Sequence, residues 1–458
     1  MAYDVRGRGI TTHQSFILGR ALGTKLKGTC FIGWDCRESS PALGEHLIEG
    51  LRSSGINVTK GGFMPGPVCY YKILNTYDFG VFITASHLPK EYNGFKIIMR
   101  DGSGIAPEEL KEVRELFNNY NFNKVESASV KQDITATNDY ARFLEKEFGR
   151  IEVKCVIDCL NGSTGALTNS VFNKLLDATV LNNEPKSDFG GKSPEPSEKN
   201  LHELQERVLS ENASFGAGLD GDGDRSVFVD DKGRVIDGNM MTMLFTKEIL
   251  KKKKGVIVAP PSVSSVIETK IVKPMGGTMV WCKVGHTFIE KELVKQKGLF
   301  GGEESSHFYW NEYYPFSDGA LSVLMMARII KETGKKLSEL IDELPKVVVI
   351  KEEVEFSTHQ EKEEVAAKII NRLMQENTQA LTMDGIKFTR PDEVSVLLRP
   401  SQTRHTVKVF IEAEERLIAD KALEEYVQLI QSYKQLHNHS DTIIQNQASP
   451  DQTLIEHN

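Results

Sequence analysis

The strongest constraint on the fold is a pattern that occurs three times along the chain. A short apolar run leads into a turn rich in Gly, Ser, Pro or Asp and then into a helix-compatible segment, starting at Cys30, Cys155 and Val256. After each unit comes a second strand-like run that ends in a polar loop. This order is typical of α/β domains. Such units are common enough to recur by chance, but the matching order favours three related α/β domains.

The C-terminal part has a different pattern. Two β-like runs, 394–399 and 406–413, flank a polar turn, and helical periodicity covers 361–376 and 419–433. This predicts an α+β domain. Beyond residue 437 the chain is rich in Asn, Gln, Ser, Asp and His, which predicts a disordered tail. The predicted divisions are 1–133, 134–236, 237–345 and 346–436, with the tail at 437–458.

The composition narrows the classes of function. The chain has 458 residues, 40% of them hydrophobic, with a net charge of −8. No overall basic field would attract nucleic acid, and no apolar run is long enough for a membrane span. The six cysteines form no CxxC pair, and the N-terminal residues lack the apolar run of a signal peptide. We therefore expect a cytoplasmic protein with reduced thiols and no nucleic-acid or membrane partner.

A cluster of three carboxylates predicts a metal site. Asp220, Asp222 and Asp224 alternate with glycines that allow tight curvature. Carboxylates this close repel one another unless a cation lies among them, and oxygen ligands favour Mg²⁺, Mn²⁺ or Ca²⁺. An EF-hand is disfavoured because its sixth position would be Arg225 and its twelfth Asp231. A Mg²⁺ site completed by a phosphate oxygen fits better than a solvated acidic turn.

A serine in another loop offers a nucleophile. Ser86 follows an apolar strand and precedes Pro89, which keeps the chain out of a helix. His87 is adjacent, and Lys96 could neutralise phosphate charge. Alone, this segment would be read as an ordinary strand-end turn. Together with the carboxylates, it predicts phosphoryl transfer through a phosphoserine.

Two further loops are weaker signals. The segment 302–307 combines carboxylate, hydroxyl and imidazole groups that can bind sugar hydroxyls, and His286 could add a contact, although an isolated His is more often structural. The segment 399–405 combines cations and hydroxyls that suit a phosphate dianion; a solvated hairpin tip is an equal alternative.

These motifs together resemble the α-D-phosphohexomutase family, in particular its phosphomannomutase/phosphoglucomutase branch. The resemblance covers Tyr3 to about Tyr433. It rests on ordered motifs at 3–7, 84–89, 93–96, 220–225, 302–307 and 399–403. It implies three similar α/β domains with mixed sheets and a C-terminal α+β domain around a central cleft. It also implies conversion between hexose 1-phosphates and hexose 6-phosphates, with Mg²⁺ as cofactor and hexose 1,6-bisphosphate as activator.

The resemblance also implies roles for the matching residues. Ser86 would carry the phosphoryl group, and its phosphate oxygen would complete the Mg²⁺ site of Asp220, Asp222 and Asp224. The groups around the transferring phosphoryl would be Arg6, His87, Lys96 and Arg225. The sugar hydroxyls would be read by Glu303, Ser305 and His307. The non-reacting phosphate would be held by Arg399, Ser401 and Thr403.

The sugar loop bears on the substrate. The Glu-x-Ser-x-His pattern ending at His307 resembles the bifunctional mannose/glucose branch, whereas phosphoglucosamine mutases usually carry Gln at the place of Glu304. Members of that branch commonly have a lysine in the loop after the first strand of the third domain, but residues 260–265 of this chain include no basic residue. Rival functions are a phosphoglucosamine mutase, a Mg²⁺-dependent sugar phosphatase and a silent sugar-phosphate-binding protein. We expect small hexose phosphates as partners and a monomer or dimer, with His87 and Lys96 as candidate bases.

Overall fold

Four sheets organise the part of the chain that the structure describes. This computed structural model describes the backbone of residues 5–123, 125–401 and 404–447. Contacts divide it into a larger unit, 5–263 with 267–344, and a smaller unit, 264–266 with the chain from 345 onward. The larger unit contains three mixed sheets and the smaller unit an antiparallel one. Among the described residues, no helix combines the length and apolarity needed to cross a membrane.

The first sheet has the strand order β1-β5-β4-β2-β3-β6. Its central strands β3, β2 and β4 are parallel, whereas β5 runs antiparallel to both β4 and β1. The elements are β1 (Val5–Arg8), α1 (Thr12–Lys25), β2 (Thr29–Trp34), α2 (Ser40–Arg52), β3 (Asn57–Phe63), α3 (Gly66–Ile73), β4 (Phe79–Ile83), β5 (Tyr92–Met99), α4 (Pro107–Asn119) and β6 (Val130–Gln132).

The second sheet has the order β11-β10-β9-β7-β8. Strands β8, β7 and β9 are parallel, and β10 is antiparallel to β9. The elements are α5 (Ala136–Phe148), β7 (Ile151–Asp158), α6 (Asn173–Leu175), β8 (Leu176–Leu181), α7 (His202–Glu211), β9 (Phe215–Leu219), β10 (Ser226–Asp230) and β11 (Val235–Ile236).

The third sheet has the order β13-β12-β14-β15. Strands β13, β12 and β14 are parallel, and β15 is antiparallel to β14. The elements are α8 (Gly238–Lys252), β12 (Val256–Ala259), β13 (Thr278–Trp281), α9 (His286–Gln296), β14 (Phe300–Gly302), β15 (Phe308–Trp310), α10 (Gly319–Thr333) and α11 (Leu337–Asp342).

The three polar loops occupy the same connection in the three sheets. Each leaves a strand that pairs in parallel with the first strand of its repeat and enters an antiparallel neighbour: β4 to β5, β9 to β10, and β14 to β15. The serine, aspartate and sugar-loop motifs are therefore equivalent in topology. This supports the sequence prediction of three related α/β domains.

The segments after β7 and β12, predicted to be helix-compatible, are helical but do not begin as α-helices. Residues Ser163–Leu167 form a 3₁₀ turn, and Thr168–Phe172 and Ile267–Val272 are π-helical. The sequences STGAL and TNSVF are rich in Gly, Ser, Thr and Asn, which have low helix propensity because they lose more entropy or bond their own backbone. The segment after β2 forms a regular α-helix, α2.

The C-terminal unit forms the predicted α+β domain. Its antiparallel sheet has the order β16-β19-β18-β17. The elements are β16 (Val348–Glu355), α12 (His359–Glu376), β17 (Ile386–Thr389), β18 (Ser395–Pro400), β19 (Thr406–Ala413) and α13 (Arg416–Gln447). Helix α13 continues past 437, where the predicted tail begins, so the described chain is still helical there. The fold class predicted from the sequence, three mixed α/β domains and an α+β domain, is confirmed.

Helices α1 and α2 approach closely through two glycines. A Cβ atom on Gly50 would meet the carbonyl oxygen of Phe16 at less than any allowed distance, and one on Gly19 would meet the carbonyl oxygen of Leu47. Backbone cannot yield as a flexible side chain can. The contact therefore requires glycine on both helices, which holds them against the first sheet.

The Gly50→Ala substitution tests this contact. Overpacking against backbone should lower the free energy of unfolding by about 1–3 kcal/mol. Thermal unfolding followed by circular dichroism measures the loss. Glu49→Ala, at the exposed neighbouring position, should change it by less than about 0.5 kcal/mol. Equal melting temperatures for Gly50→Ala and the wild type would contradict the close approach.

Candidate active site

The three carboxylates of the β9–β10 loop converge. Asp220 and Asp222 are fully buried, and oxygen atoms of Asp220, Asp222 and Asp224 lie within 4.8 Å of one another. The loop curves because Gly223 adopts a φ of 85°, a conformation that side chains rarely allow. The amide groups of Gly223 and Arg225 donate to Asp220 Oδ1 at 3.0 and 3.1 Å. The loop backbone thus fixes one carboxylate of the cluster.

Lys96 supplies positive charge to the other two carboxylates. Its Nζ atom donates to Asp222 Oδ2 at 2.8 Å and to Asp224 Oδ2 at 2.6 Å. Lys96 comes from β5, opposite Phe82 of β4, and its side chain is 3% exposed. A buried ion pair of this kind depends on mutual compensation, because neither charge is solvated by water. The first and second sheets therefore meet at this point.

The pKa values within the cluster are unequal. Burial raises the pKa of Asp220 well above its usual value, and the charges of Asp224 and Asp222 raise it further. Burial also acts to raise the pKa of Asp224, but Lys96, His307 and Arg225 outweigh it and hold this pKa well below the usual range. Neighbouring positive charge therefore stabilises Asp224 as an anion, whereas the positive charge near Asp220 does not offset its burial.

Ser86 contacts the carboxylate cluster directly. Its hydroxyl donates to Asp220 Oδ2 at 2.6 Å and lies 3.3 Å from His87 Nδ1. Ser86 is 1% exposed and has a φ of 51°, in the left-handed region. Its amide donates to the hydroxyl of Thr84 at 2.8 Å. The structure therefore brings together the predicted nucleophile and the acidic loop, which are 134 residues apart in the sequence.

His87 is neutral in this environment. Burial, and after it the charges of Arg225, Arg6 and His307, together lower its pKa to about 2. Arg6 reaches the site from β1, where it pairs with Gly94 of β5. Because Arg6 and Arg225 act on His87, which lies beside Ser86, their positive charge would attract an anion bound there. Tyr3 and Asp4, which belong to the same motif as Arg6, lie outside the described residues.

Arg225 connects the acidic loop to the sugar loop. Its Nε donates to His307 Nε2 at 3.2 Å and lies 3.9 Å from Asp220 Oδ2. His307 Nδ1 lies 2.9 Å from Ser305 Oγ. His307 Nδ1 is also 3.5 Å from Glu303 Oε1. The three predicted sugar-contacting residues form one bonded group.

Tyr309 is a residue of this group that the sequence analysis missed. Its hydroxyl donates to Glu303 Oε1 at 2.6 Å, and its side chain is fully buried. Tyr309 lies opposite Gly301 in the β14–β15 hairpin. Hairpin alternation could have placed it on the face that carries His307, two residues earlier. The identity of its hydrogen-bond partner could not be read from that alternation.

His286 begins α9 and lines a small enclosed pocket that also borders Lys96, Asp224 and Glu290. The predicted residue therefore lies beside the carboxylate cluster. Glu290, one helical turn later, is 1% exposed and accepts the amide of Gly104 at 2.8 Å. Glu290 was not predicted from the sequence. Its position four residues after His286, on the same face of the helix, could have indicated it.

Arg399 and Ser401 belong to the C-terminal unit. Arg399 lies on β18 opposite Lys408 of β19, and Ser401 accepts the amide of Arg404 at its hydroxyl, at 3.1 Å. Thr403 lies outside the described residues. That this turn holds a substrate phosphate stays a prediction.

The carboxylate cluster fits a hard divalent cation. All its ligand atoms are oxygens, which Mg²⁺ prefers. Within the described chain, Asp222 Oδ1 is buried with no hydrogen-bond donor, as expected of an oxygen reserved for a cation. Asp220, Asp222 and Asp224 are therefore the residues that would hold a metal ion, with Ser86 beside them.

Comparison with known proteins agrees with this arrangement. Three family models match in succession: phosphoglucomutase/phosphomannomutase α/β/α domain I at residues 2–124, domain II at 138–233 and domain III at 237–348. A probable phosphoglucosamine mutase from Methanopyrus kandleri is 32% identical, covering 93% of this chain and 95% of that protein. A phosphoglucomutase/phosphomannomutase from Thermococcus kodakarensis is 31% identical, covering 94% and 97%.

A solved structure is also similar over nearly the whole chain. The crystal structure of a phosphoglucomutase/phosphomannomutase family protein from Burkholderia thailandensis has a TM-score of 0.85 and 25% identity, and the match covers 94% of this chain and 97% of that one. The predicted resemblance is confirmed: the chain belongs to the phosphoglucomutase/phosphomannomutase family and is an enzyme of the phosphohexomutase superfamily.

Proposed function

We propose that this enzyme interconverts hexose 1-phosphates and hexose 6-phosphates, with mannose or glucose as the sugar, through a phosphoserine at Ser86. The observation that carries the proposal is the 2.6 Å contact between Ser86 Oγ and Asp220 inside a buried carboxylate cluster. A buried serine needs no such cluster for folding. A phosphoserine that transfers its phosphoryl group needs a divalent cation beside it, and the carboxylate cluster would hold that cation.

The proposed reaction has two phosphoryl transfers. Phospho-Ser86 gives its phosphoryl group to one hydroxyl of the hexose monophosphate, which forms a hexose 1,6-bisphosphate. After the sugar reorients, the other phosphoryl group returns to Ser86. The bisphosphate also activates an enzyme that has lost its phosphate, which is why it is proposed as the activator.

Several side chains would act on the transferring group. Arg6 and Arg225 lie close enough to His87 to lower its pKa, so they would also stabilise charge on phosphoryl oxygens. Mg²⁺ held by the three aspartates would neutralise phosphate charge. The low pKa of His87 makes it a weak proton acceptor in this state, which disfavours it as the base that deprotonates the sugar hydroxyl.

The sugar would be read by the loop after β14. Glu303 and His307 offer acceptor and donor groups that suit neighbouring hydroxyls. Arg225, which follows the aspartate cluster, donates a hydrogen bond to His307 and so connects this loop to the proposed phosphoryl site. Arg399, Ser401 and Thr403 are proposed to hold the non-reacting phosphate. The Glu-x-Ser-x-His pattern favours mannose or glucose phosphates. Glucosamine phosphate is the second candidate, because the Methanopyrus kandleri relative is described as a probable phosphoglucosamine mutase. A cytoplasmic location is proposed with this function.

Replacing the serine tests the covalent step. Ser86→Ala should accept no phosphate from labelled hexose 1,6-bisphosphate, because the acceptor oxygen is gone. Mass spectrometry of the purified protein measures the incorporation. Ser103→Ala removes another buried hydroxyl, which bonds Asp101, and should incorporate phosphate as the wild type does. Undiminished mutase turnover in Ser86→Ala would overturn the assignment of the serine.

A comparison of substrates tests the sugar preference. We expect kcat/KM for mannose 1-phosphate or glucose 1-phosphate to exceed that for glucosamine 1-phosphate by at least about 10-fold, the lower end of the discrimination that one changed substituent gives. Coupled assays of each 6-phosphate product give the three values. A preference for glucosamine 1-phosphate would favour the second candidate, and stoichiometric release of inorganic phosphate would favour a phosphatase.

A further inference from the structure

Arg37 lies buried beneath the serine loop and has no role in the reaction described above. Its side chain is 0% exposed. Nε donates to Asp35 Oδ2 at 3.0 Å. The two terminal nitrogens donate to four backbone carbonyl oxygens of the loop, those of Ser86 (2.7 Å), Leu88 (2.7 Å), Pro89 (2.7 Å) and Tyr92 (3.2 Å).

These contacts use all five N–H donors of the guanidinium group. A guanidinium presents its donors in a fixed plane, so carbonyls bonded to it are held in fixed relative positions. Phe189 covers one face of the group, with its ring centre 4.8 Å from the guanidinium carbon. A lysine ammonium has three donors and no plane. It could preserve the charge at this position but not the arrangement of the four carbonyls.

Asp35 extends the same network to the other side of the loop. Besides Arg37, it accepts hydrogen bonds from the hydroxyls of Thr84 at 2.8 Å and Ser40 at 2.6 Å. Thr84 in turn accepts the amide of Ser86. The amide and the carbonyl of Ser86 are therefore both linked to the Asp35–Arg37 pair, one through Thr84 and the other directly.

Ser86 needs this support because its backbone is strained. Its φ of 51° is uncommon for a residue with a side chain. Its carbonyl oxygen also lies against the acidic loop, where a Cβ atom on Gly221 would be 2.7 Å away. Strained backbone at a functional site persists when the surroundings over-determine it. The bond from Arg37 to the Ser86 carbonyl is such a constraint.

We propose that Arg37 is a positioning residue for phosphoryl transfer: its guanidinium fixes the backbone of Ser86 so that the hydroxyl faces Asp220. This proposal rests on the proposed function. The alternative is that Arg37 stabilises the fold alone. A fold role predicts loss of stability without a specific loss of the Ser86 step, whereas positioning predicts a slower transfer step in a folded protein.

The Arg37→Lys variant separates these roles. Misplacement of a reacting atom by about 1 Å costs about 100-fold in rate. We therefore expect phosphorylation of Ser86 by hexose 1,6-bisphosphate, measured by rapid quench and mass spectrometry, to slow by about 100-fold. Turnover (kcat) should fall in parallel, and KM should change by less than about 3-fold, because the residues proposed to contact the sugar are not displaced.

Arg328→Lys is the matched control. Arg328 also stacks on an aromatic ring, that of Phe148 at 4.0 Å, and donates to a backbone carbonyl, that of Glu147 at 2.9 Å. It lies outside the proposed site. Its replacement should leave the rate of Ser86 phosphorylation at the wild-type value even where the melting temperature falls.

A second variant covers the case in which Arg37→Lys does not fold. Phe189→Leu keeps all the hydrogen-bond partners of Arg37 and removes only the ring that covers it. We expect it to slow Ser86 phosphorylation by about 5-fold with little change in KM, a fraction of the cost of full misplacement. A wild-type rate in folded Arg37→Lys, or in Phe189→Leu if Arg37→Lys is unfolded, overturns the positioning role. Full mutase turnover in Ser86→Ala would instead overturn the phosphoserine route on which this proposal rests.

Discussion

The buried contact between a serine hydroxyl and a cluster of aspartates is the interaction on which the account depends. Taking carboxylates out of water costs several kcal/mol per ion unless charges or hydrogen bonds compensate. Here Lys96 compensates Asp222 and Asp224, backbone amides bond Asp220, and the Ser86 hydroxyl completes the set. The compensation is incomplete at Asp220, whose pKa burial raises. Under the proposed function, a cation held by the three aspartates would supply the missing compensation.

The topology explains how the parts of this site arise from distant segments. In each of the three mixed sheets, one polar loop connects a parallel strand to its antiparallel neighbour. Under the proposed function, three copies of one connection would supply the nucleophile, the metal ligands and the groups that bind the sugar. Lys96 joins the first loop's sheet to the second loop, and Arg225 joins the second loop to the third. Loops that are equivalent in topology can thus carry different residues and together form one site.

The sequence was sufficient to locate the loops whose residue types and positions after a strand are both local features of the chain. The motifs at Ser86, Asp220–Asp224 and Glu303–His307 follow strand-like runs, so their positions at strand ends and their residue types were both readable. The helix-compatible segments predicted after β7 and β12 are 3₁₀- and π-helical rather than α-helical. After β7, a sequence rich in Gly, Ser, Thr and Asn, which have low helix propensity, accounts for this. Tyr309 and Arg37 were missed as well. Their importance depends on partners, Glu303 and the loop carbonyls, that are defined by three-dimensional contact.

The most direct test of the central claim is the location of a metal relative to the phosphorylated serine. Crystals of the phosphorylated enzyme soaked in Mn²⁺ would reveal the ion by its anomalous scattering. The account predicts one strong peak bonded to oxygens of Asp220, Asp222 and Asp224 and to a phosphate oxygen on Ser86. A peak bound elsewhere, with the phosphate of Ser86 out of reach of the three aspartates, would contradict it.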